Sequence, residues 1–277
     1  MEFLALQDFI QYDFLFLALL SVIFLSLSSA LLSPLVVSNG LSFYSSALSH
    51  SCFFGLGLVY FFAIEPSQMI ITGVVLAFSL LFGQVLAFGT YHNKLPPDSL
   101  IGLFFTGTMG AGVLLLEASK QTSETITSFL FGNILLVENT LVFLLFGLLI
   151  IGSGVLYYYR KALLMWSWNS ELSKAILPNA SFINSLIYFL VSLNLVFGLQ
   201  VAGILPMSSL LIVPGMFSTL YGTNLKNQFF CSIIFSFLTS LSSLVLANFI
   251  DLSFGPTVAT VQVLAFLITL IFKKIRK

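Results

Sequence analysis

The chain has 277 residues, 58% hydrophobic and 7% charged, with ten basic and ten acidic side chains and a mean hydropathy of +1.09. A soluble domain carries roughly a quarter charged residues, so this composition excludes a water-covered globule and points to a chain buried in a bilayer. The long unbroken apolar runs exclude an outer-membrane barrel, whose strands alternate apolar and polar residues over segments of about ten.

Apolar runs of about 20 residues predict spans near 14–37, 41–63, 67–90, 99–117, 137–159, 181–200, 206–221, 228–248 and 256–272. The start carries Glu2, Asp8 and Asp13 and no basic residue, so a cleaved signal peptide is not expected. The seventh span is short and interrupted by "VPG" at Val213 to Gly215, a pattern that fits a broken or re-entrant helix. The expectation is an all-α, polytopic transmembrane helical bundle forming a single domain over residues 1–277. Cys52 and Cys231 both lie in apolar runs, which argues against a disulfide or a zinc cluster.

Nine spans put the termini on opposite sides. The tail "KKIRK" (Lys273, Lys274, Arg276, Lys277) is then cytoplasmic by the positive-inside rule, with the N-terminus outside. Counting back places Lys226, Lys174, Lys161, Arg160 and Lys94 inside and only Lys120 outside. Glu2, Asp8, Asp13, Glu65, Glu117, Glu124, Glu138 and Asp251 fall outside, against Asp98 and Glu171 inside, an excess that reads either as a by-product of topology or as a negative mouth able to concentrate cations.

The second span holds the most informative stretch, "GLSFYSSALSHSCFFGLGL" from Gly40 to Leu58, which includes one of the chain's 2 histidines. Ser42, Ser45, Ser46, Ser49 and His50 follow the i, i+3, i+4, i+7, i+8 spacing of one helical face. At about 1.5 Å per residue, His50 lies roughly 14 Å into a hydrocarbon core about 30 Å thick. Ionisable groups at that depth usually face a pathway, and neutral imidazole is the commonest metal ligand. A histidine bonded to a neighbouring helix, with serines bonding their own backbone, is the competing reading. In the fourth span Gly102, Thr106 and Gly110, and Gly107 with Ala111, form small-residue patterns that permit close helix approach.

"LSFYSSALSHSCFFGLGL" resembles the second-span signature of the membrane permeases of ABC-type zinc and manganese uptake systems. The resemblance continues in order through "PDSLIGLFFTGTMGAGVLLL" (Pro97 to Leu116), "SFLFGNILLV" (Ser128 to Val137), "LQVAGILPMSSLLIVPGMFSTLYG" (Leu199 to Gly222) and "DLSFGPTVATVQVL" (Asp251 to Leu264).

The resemblance implies a non-enzymatic transport subunit in a bacterial cell membrane, dimeric with a like or unlike second permease. It would receive Zn2+ or Mn2+ from an extracytoplasmic binding protein and be driven by cytoplasmic ATPase subunits. No GxxxxGK[ST] loop is present, which fits hydrolysis on another chain. By similarity, Ser42, Ser46, Ser49 and His50 line the metal path, and the region from Pro214 through Tyr221 and Asn224 to Lys226 meets the ATPase. No permanently bound cofactor and no nucleic-acid partner are expected.

The chain departs from the family pattern at Ser46, where an aspartate usually stands one turn before the histidine, and at Ser38 and Asn39, where a basic residue is frequent. Three explanations stay open for Ser46: a less metal-selective path, a partner permease holding the intact Asp–His pair, or a different mode of binding. An iron-chelate or haem permease is the nearest competing function. A gradient-driven secondary transporter would need intramembrane carboxylates, and a metalloprotease would need HExxH. The acids fall at or near span ends, and no HExxH or second membrane-embedded histidine is present, since His92 falls in the cytoplasmic Tyr91–Asp98 loop.

Overall fold

The computed structural model describes residues 11–62, 67–92, 97–119 and 129–275. Glu2, Asp8, Glu65, Lys94, Lys120, Glu124, Arg276 and Lys277 lie outside the described residues. Eleven α-helices are numbered here in chain order: α1 Asp13–Ser38, α2 Ser42–Phe62, α3 Gln68–His92, α4 Pro97–Ala118, α5 Asn139–Tyr158, α6 Arg160–Trp168, α7 Ser170–Ile176, α8 Ala180–Ala202, α9 Ile204–Tyr221, α10 Leu225–Ile250 and α11 Phe254–Ile275. Among the described residues, 9 of these are long and apolar enough to cross a membrane; α6 and α7 are the exceptions. The protein is therefore an all-helical, multi-pass membrane protein.

The centre of the bundle is built from α1 and α8, which are apolar on every side and packed on most of them. Polar side chains fix their register. Asn194 is fully buried; its Oδ1 accepts from Ser29 Oγ at 2.9 Å and its Nδ2 donates to Ser28 Oγ at 2.7 Å. Pro34 has no N–H for the carbonyl of Ala30 four residues earlier. Ser232 Oγ from α10 donates to that carbonyl at 2.8 Å instead, and Ser236 Oγ donates to Ser26 O at 3.0 Å. Around this centre, α3, α4, α5 and α11 turn large apolar side chains outward, as lipid-facing helices do; Leu81, Leu103, Phe143 and Phe272 are exposed.

The seventh span is one continuous helix of 18 residues, not a broken or re-entrant one. Pro214 sits inside α9, and the disturbed turn is supported from outside: Gly215 N–H donates to Ser33 Oγ of α1 at 2.6 Å. Neighbouring helices re-satisfy backbone freed by proline in this way.

Close helix approach falls at other small residues than expected. A Cβ added at Gly107 or Gly110 would meet no other part of the chain within 4 Å, and one at Gly102 only the Phe43 ring. The tight crossing of α2 and α4 is at Gly112 and Gly57: a Cβ on Gly112 would lie 2.5 Å from the Phe54 nitrogen, and one on Gly57 would lie 2.7 Å from the Gly112 carbonyl oxygen. Thr108 Oγ1 donates to Ser51 Oγ at 2.7 Å in the same interface. At one end of the bundle Gly132 (φ +70°), Gly203 (φ +85°) and Gly255 bring three chain segments into backbone contact. The opposite end gathers α6, α7 and the ends of α3, α9 and α11: Trp166 stacks at 6.5 Å on Tyr91, Lys174 Nζ lies 5.5 Å over the Tyr91 ring, and Lys273 bonds the Leu220 carbonyl.

Candidate functional site

Helix α2 presents two different sides. Tyr44, Leu48 and Cys52 are fully buried, and Tyr44 anchors the helix to α8 through a 2.8 Å hydrogen bond to Ser192 Oγ and a ring contact of 4.4 Å with Tyr188. Ser42, Ser46 and His50, spaced four apart, are half-buried and form the accessible edge of the helix.

The serine stripe does not make one continuous wet face. Ser45 and Ser49 are buried and bond their own helix, Ser45 Oγ donating to Ser42 O at 2.9 Å and Ser49 Oγ to Ser46 O at 2.8 Å. Back-bonding of this kind is the normal fate of serine inside a helix. Ser42, Ser46 and His50 remain as the candidates facing a path, and Ser49 stands behind them as support.

His50 is eight residues into α2, roughly 12 Å from its start at 1.5 Å per residue. Its Nδ1 lies 2.8 Å from the Ser46 carbonyl oxygen and 3.4 Å from Ser49 Oγ. A carbonyl can only accept, so Nδ1 is the donor in this contact, and the tautomer that makes it has its lone pair on Nε2. Holding one ring nitrogen on a carbonyl so that the other can ligate is the usual outer support of a metal-binding histidine. Phe105 of α4 stands perpendicular to the imidazole, with centroids 5.6 Å apart and an interplanar angle of 88°.

Among the described residues no three His, Cys, Asp or Glu side chains gather closely enough to hold a metal ion. The described carboxylates with placed side chains keep to helix ends: Asp13 opens α1, Asp98 and Glu117 flank α4, Glu138 precedes α5 and Asp251 caps α10. That placement provides no mid-membrane carboxylate relay of the sort a proton-driven carrier needs.

The second candidate set is divided by burial. Pro214 is buried in the interior of α9 and cannot meet a docking partner; its place is the packing of α9 against α1. Tyr221, Asn224 and Lys226 are exposed at the end of the bundle. Tyr221 is also tied inward, its hydroxyl donating to Thr269 O at 2.8 Å with Lys273 Nζ 5.1 Å over its ring. Asn224 Oδ1 caps α10 by accepting from Asn227 N at 2.9 Å.

At the same end of the bundle lie α6 and α7, packed against α1, α5 and α8, which the hydropathy reading leaves as a loop. The signal was present in "RKALLMWSW": Leu163 and Trp166, three apart, are buried against the bundle while Arg160 and Lys161 face out. Asn169 separates the two helices and caps the second, Oδ1 accepting from Leu172 N at 2.9 Å. Leu172 and Ile176 are more than half exposed, at 54% and 56%.

Among the described residues, 9 helices long and apolar enough to cross a membrane define a multi-pass membrane protein. Comparison with known proteins makes this specific. The profile of the ABC 3 transport family matches residues 11–273, and the chain belongs to that family. It is 26% identical over 268 residues to the high-affinity zinc uptake system membrane protein ZnuB of Haemophilus influenzae, covering 96% of this chain and 100% of that protein. It is 27% identical over 272 residues to the manganese import system permease protein ScaB of Streptococcus gordonii, covering 95% and 94%. The solved structure of PsaBC from Streptococcus pneumoniae in complex with Fab shares the fold, with a TM-score of 0.79 at 24% identity over 95% of this chain and 93% of that one.

Proposed function

We propose that the chain is the membrane-spanning permease subunit of an ATP-driven importer of divalent metal ions, Zn2+ or Mn2+. The observation that carries this reading is the half-buried His50, held by the Ser46 carbonyl with Nε2 left open, inside a span of a chain that belongs to an ABC transport family. The ion is cargo, so its contact with His50 is brief; a tight mid-membrane site would trap it.

On this reading residues 1–277 form a single permease domain with the N-terminus outside and the basic C-terminus in the cytoplasm. A binding protein delivers the ion at the end that carries Glu117, Glu138 and Asp251. The ion passes Ser42, Ser46 and His50, and a second permease subunit supplies further ligands. ATPase subunits dock at the opposite end on Tyr221, Asn224 and Lys226 together with α6 and α7, whose exposed Leu172 and Ile176 offer a rigid apolar ridge. The ATPase drives alternating access, and hydrolysis stays outside this chain.

The test is uptake in proteoliposomes holding the permease, its ATPase and its binding protein. ATP-dependent accumulation of Zn2+ or Mn2+ is expected, with strong loss in His50→Ala. Absence of ATP-dependent uptake of both ions would sink the proposal.

A further inference from the structure

The Ser46 carbonyl, with Ser49 Oγ at 3.4 Å, holds the His50 ring at its Nδ1 edge only, from within its own helix. The second constraint comes from another helix. Phe105 of α4 packs edge-to-face against the imidazole at 5.6 Å and 88°, and the same ring meets Phe43 at 6.3 Å and 64°. Phe43 and His50 are seven residues apart on α2, so Phe105 spans the two turns that carry Ser46. Its own position is set by rigid contacts further along α4. Thr108 Oγ1 bonds Ser51 Oγ at 2.7 Å, and the backbones cross at Gly112 with no room for a Cβ.

We propose that Phe105 is a positioning residue for metal transfer: with the Ser46 carbonyl, it fixes the plane in which His50 Nε2 meets the ion. This role rests on the reading of His50 as a pathway ligand. Phe105 contributes no ligand atom itself. Its contribution is planarity, since aromatic rings prefer perpendicular or offset packing to other arrangements, whereas an aliphatic side chain of similar bulk leaves the imidazole several orientations. Only a fraction of encounters would then find Nε2 correctly aimed, and apparent affinity falls with that fraction.

The experiment uses the complete reconstituted importer and Zn2+ and Mn2+ as separate probes. Phe105→Leu is expected to raise KM for the transported ion about three- to tenfold, the range that aromatic pairing energies imply, with kcat held within about twofold. Phe105→Tyr, which keeps the ring, restores the wild-type KM. Phe105→Met serves as the aliphatic variant if Phe105→Leu fails to reach the membrane. An unchanged KM in both aliphatic variants while His50→Ala has lost uptake overturns the role of Phe105 alone. A fall in kcat that Phe105→Tyr does not rescue marks a general packing role and also overturns it. Normal uptake by His50→Ala removes the pathway reading and this role together.

Discussion

His50 Nδ1 and the main-chain carbonyl oxygen of Ser46 lie 2.8 Å apart, so the residue at position 46 supports the imidazole through its backbone, independently of its side chain. Two substitutions therefore separate. Ser46→Ala keeps the carbonyl and is expected to leave the affinity for Zn2+ and Mn2+ within about twofold. Ser46→Asp keeps the carbonyl and adds a carboxylate one turn from Nε2, at the i, i+4 spacing that brings side chains to within about 6 Å. It is expected to tighten metal binding at least about tenfold, since an ion in hydrocarbon gains from a nearby opposite charge. Calorimetric titration of the purified complex with Zn2+ and Mn2+ reads both; equal affinities in the serine and aspartate forms would remove Ser46 from the path.

The Asn194 clamp makes a prediction about stability alone. Asn194→Ala removes both interhelical bonds and leaves Ser28 and Ser29 hydroxyls with fewer partners between α1 and α8. Hydrogen bonds between membrane helices contribute about 0.6–2 kcal/mol, and a stranded buried polar group costs about 1–3 kcal/mol. A drop in the melting temperature in detergent is expected, with metal selectivity unchanged in the fraction that stays folded.

Gly203 has φ +85°, and a Cβ there would stand 2.4 Å from the Leu130 carbonyl oxygen and 2.5 Å from the Gly132 nitrogen. Both obstacles are backbone atoms, which cannot rotate away as a side chain can. Gly203→Ala combines backbone strain of about 1–3 kcal/mol with overpacking of about 1–3 kcal/mol. Loss of monodisperse protein by size-exclusion chromatography is expected. Gly107→Ala and Gly110→Ala, which meet nothing within 4 Å in the chain, are expected to elute normally.

Hydropathy is a local property, and the local features were legible. Apolarity predicts the second span at 41–63, where the helix is Ser42–Phe62, and the eighth at 228–248, where it is Leu225–Ile250. Distant partners decide the rest. "VPG" reads as a break because the atom that supports it, Ser33 Oγ, lies 182 residues away in the chain. The spacing in "SSALSH" puts Ser46 and His50 on one edge of the helix, where both are half-buried, but periodicity cannot separate an accessible serine from one that is buried and bonds its own helix, as Ser45 and Ser49 do. The perpendicular packing of Phe105 on His50 joins two helices, and no spacing rule reports it.

The end of the bundle that carries α7 is the proposed docking face. Leu172 and Ile176 lie four apart on α7, exposed at 54% and 56%, and Asn169 caps the helix that carries them. Exposed apolar groups on a short, capped helix suit a partner groove. Leu172→Glu places a charge in that contact and is expected to weaken co-purification of the ATPase subunit at least about tenfold, because a desolvated unpaired charge costs several kcal/mol. The permease itself should stay folded, since the side chain is exposed. Lys226→Glu tests the neighbouring loop in the same assay. Retention of the ATPase by Leu172→Glu together with loss in Lys226→Glu would move the contact from α7 to the Tyr221–Lys226 turn, and full retention by both would remove this end of the bundle as the docking face.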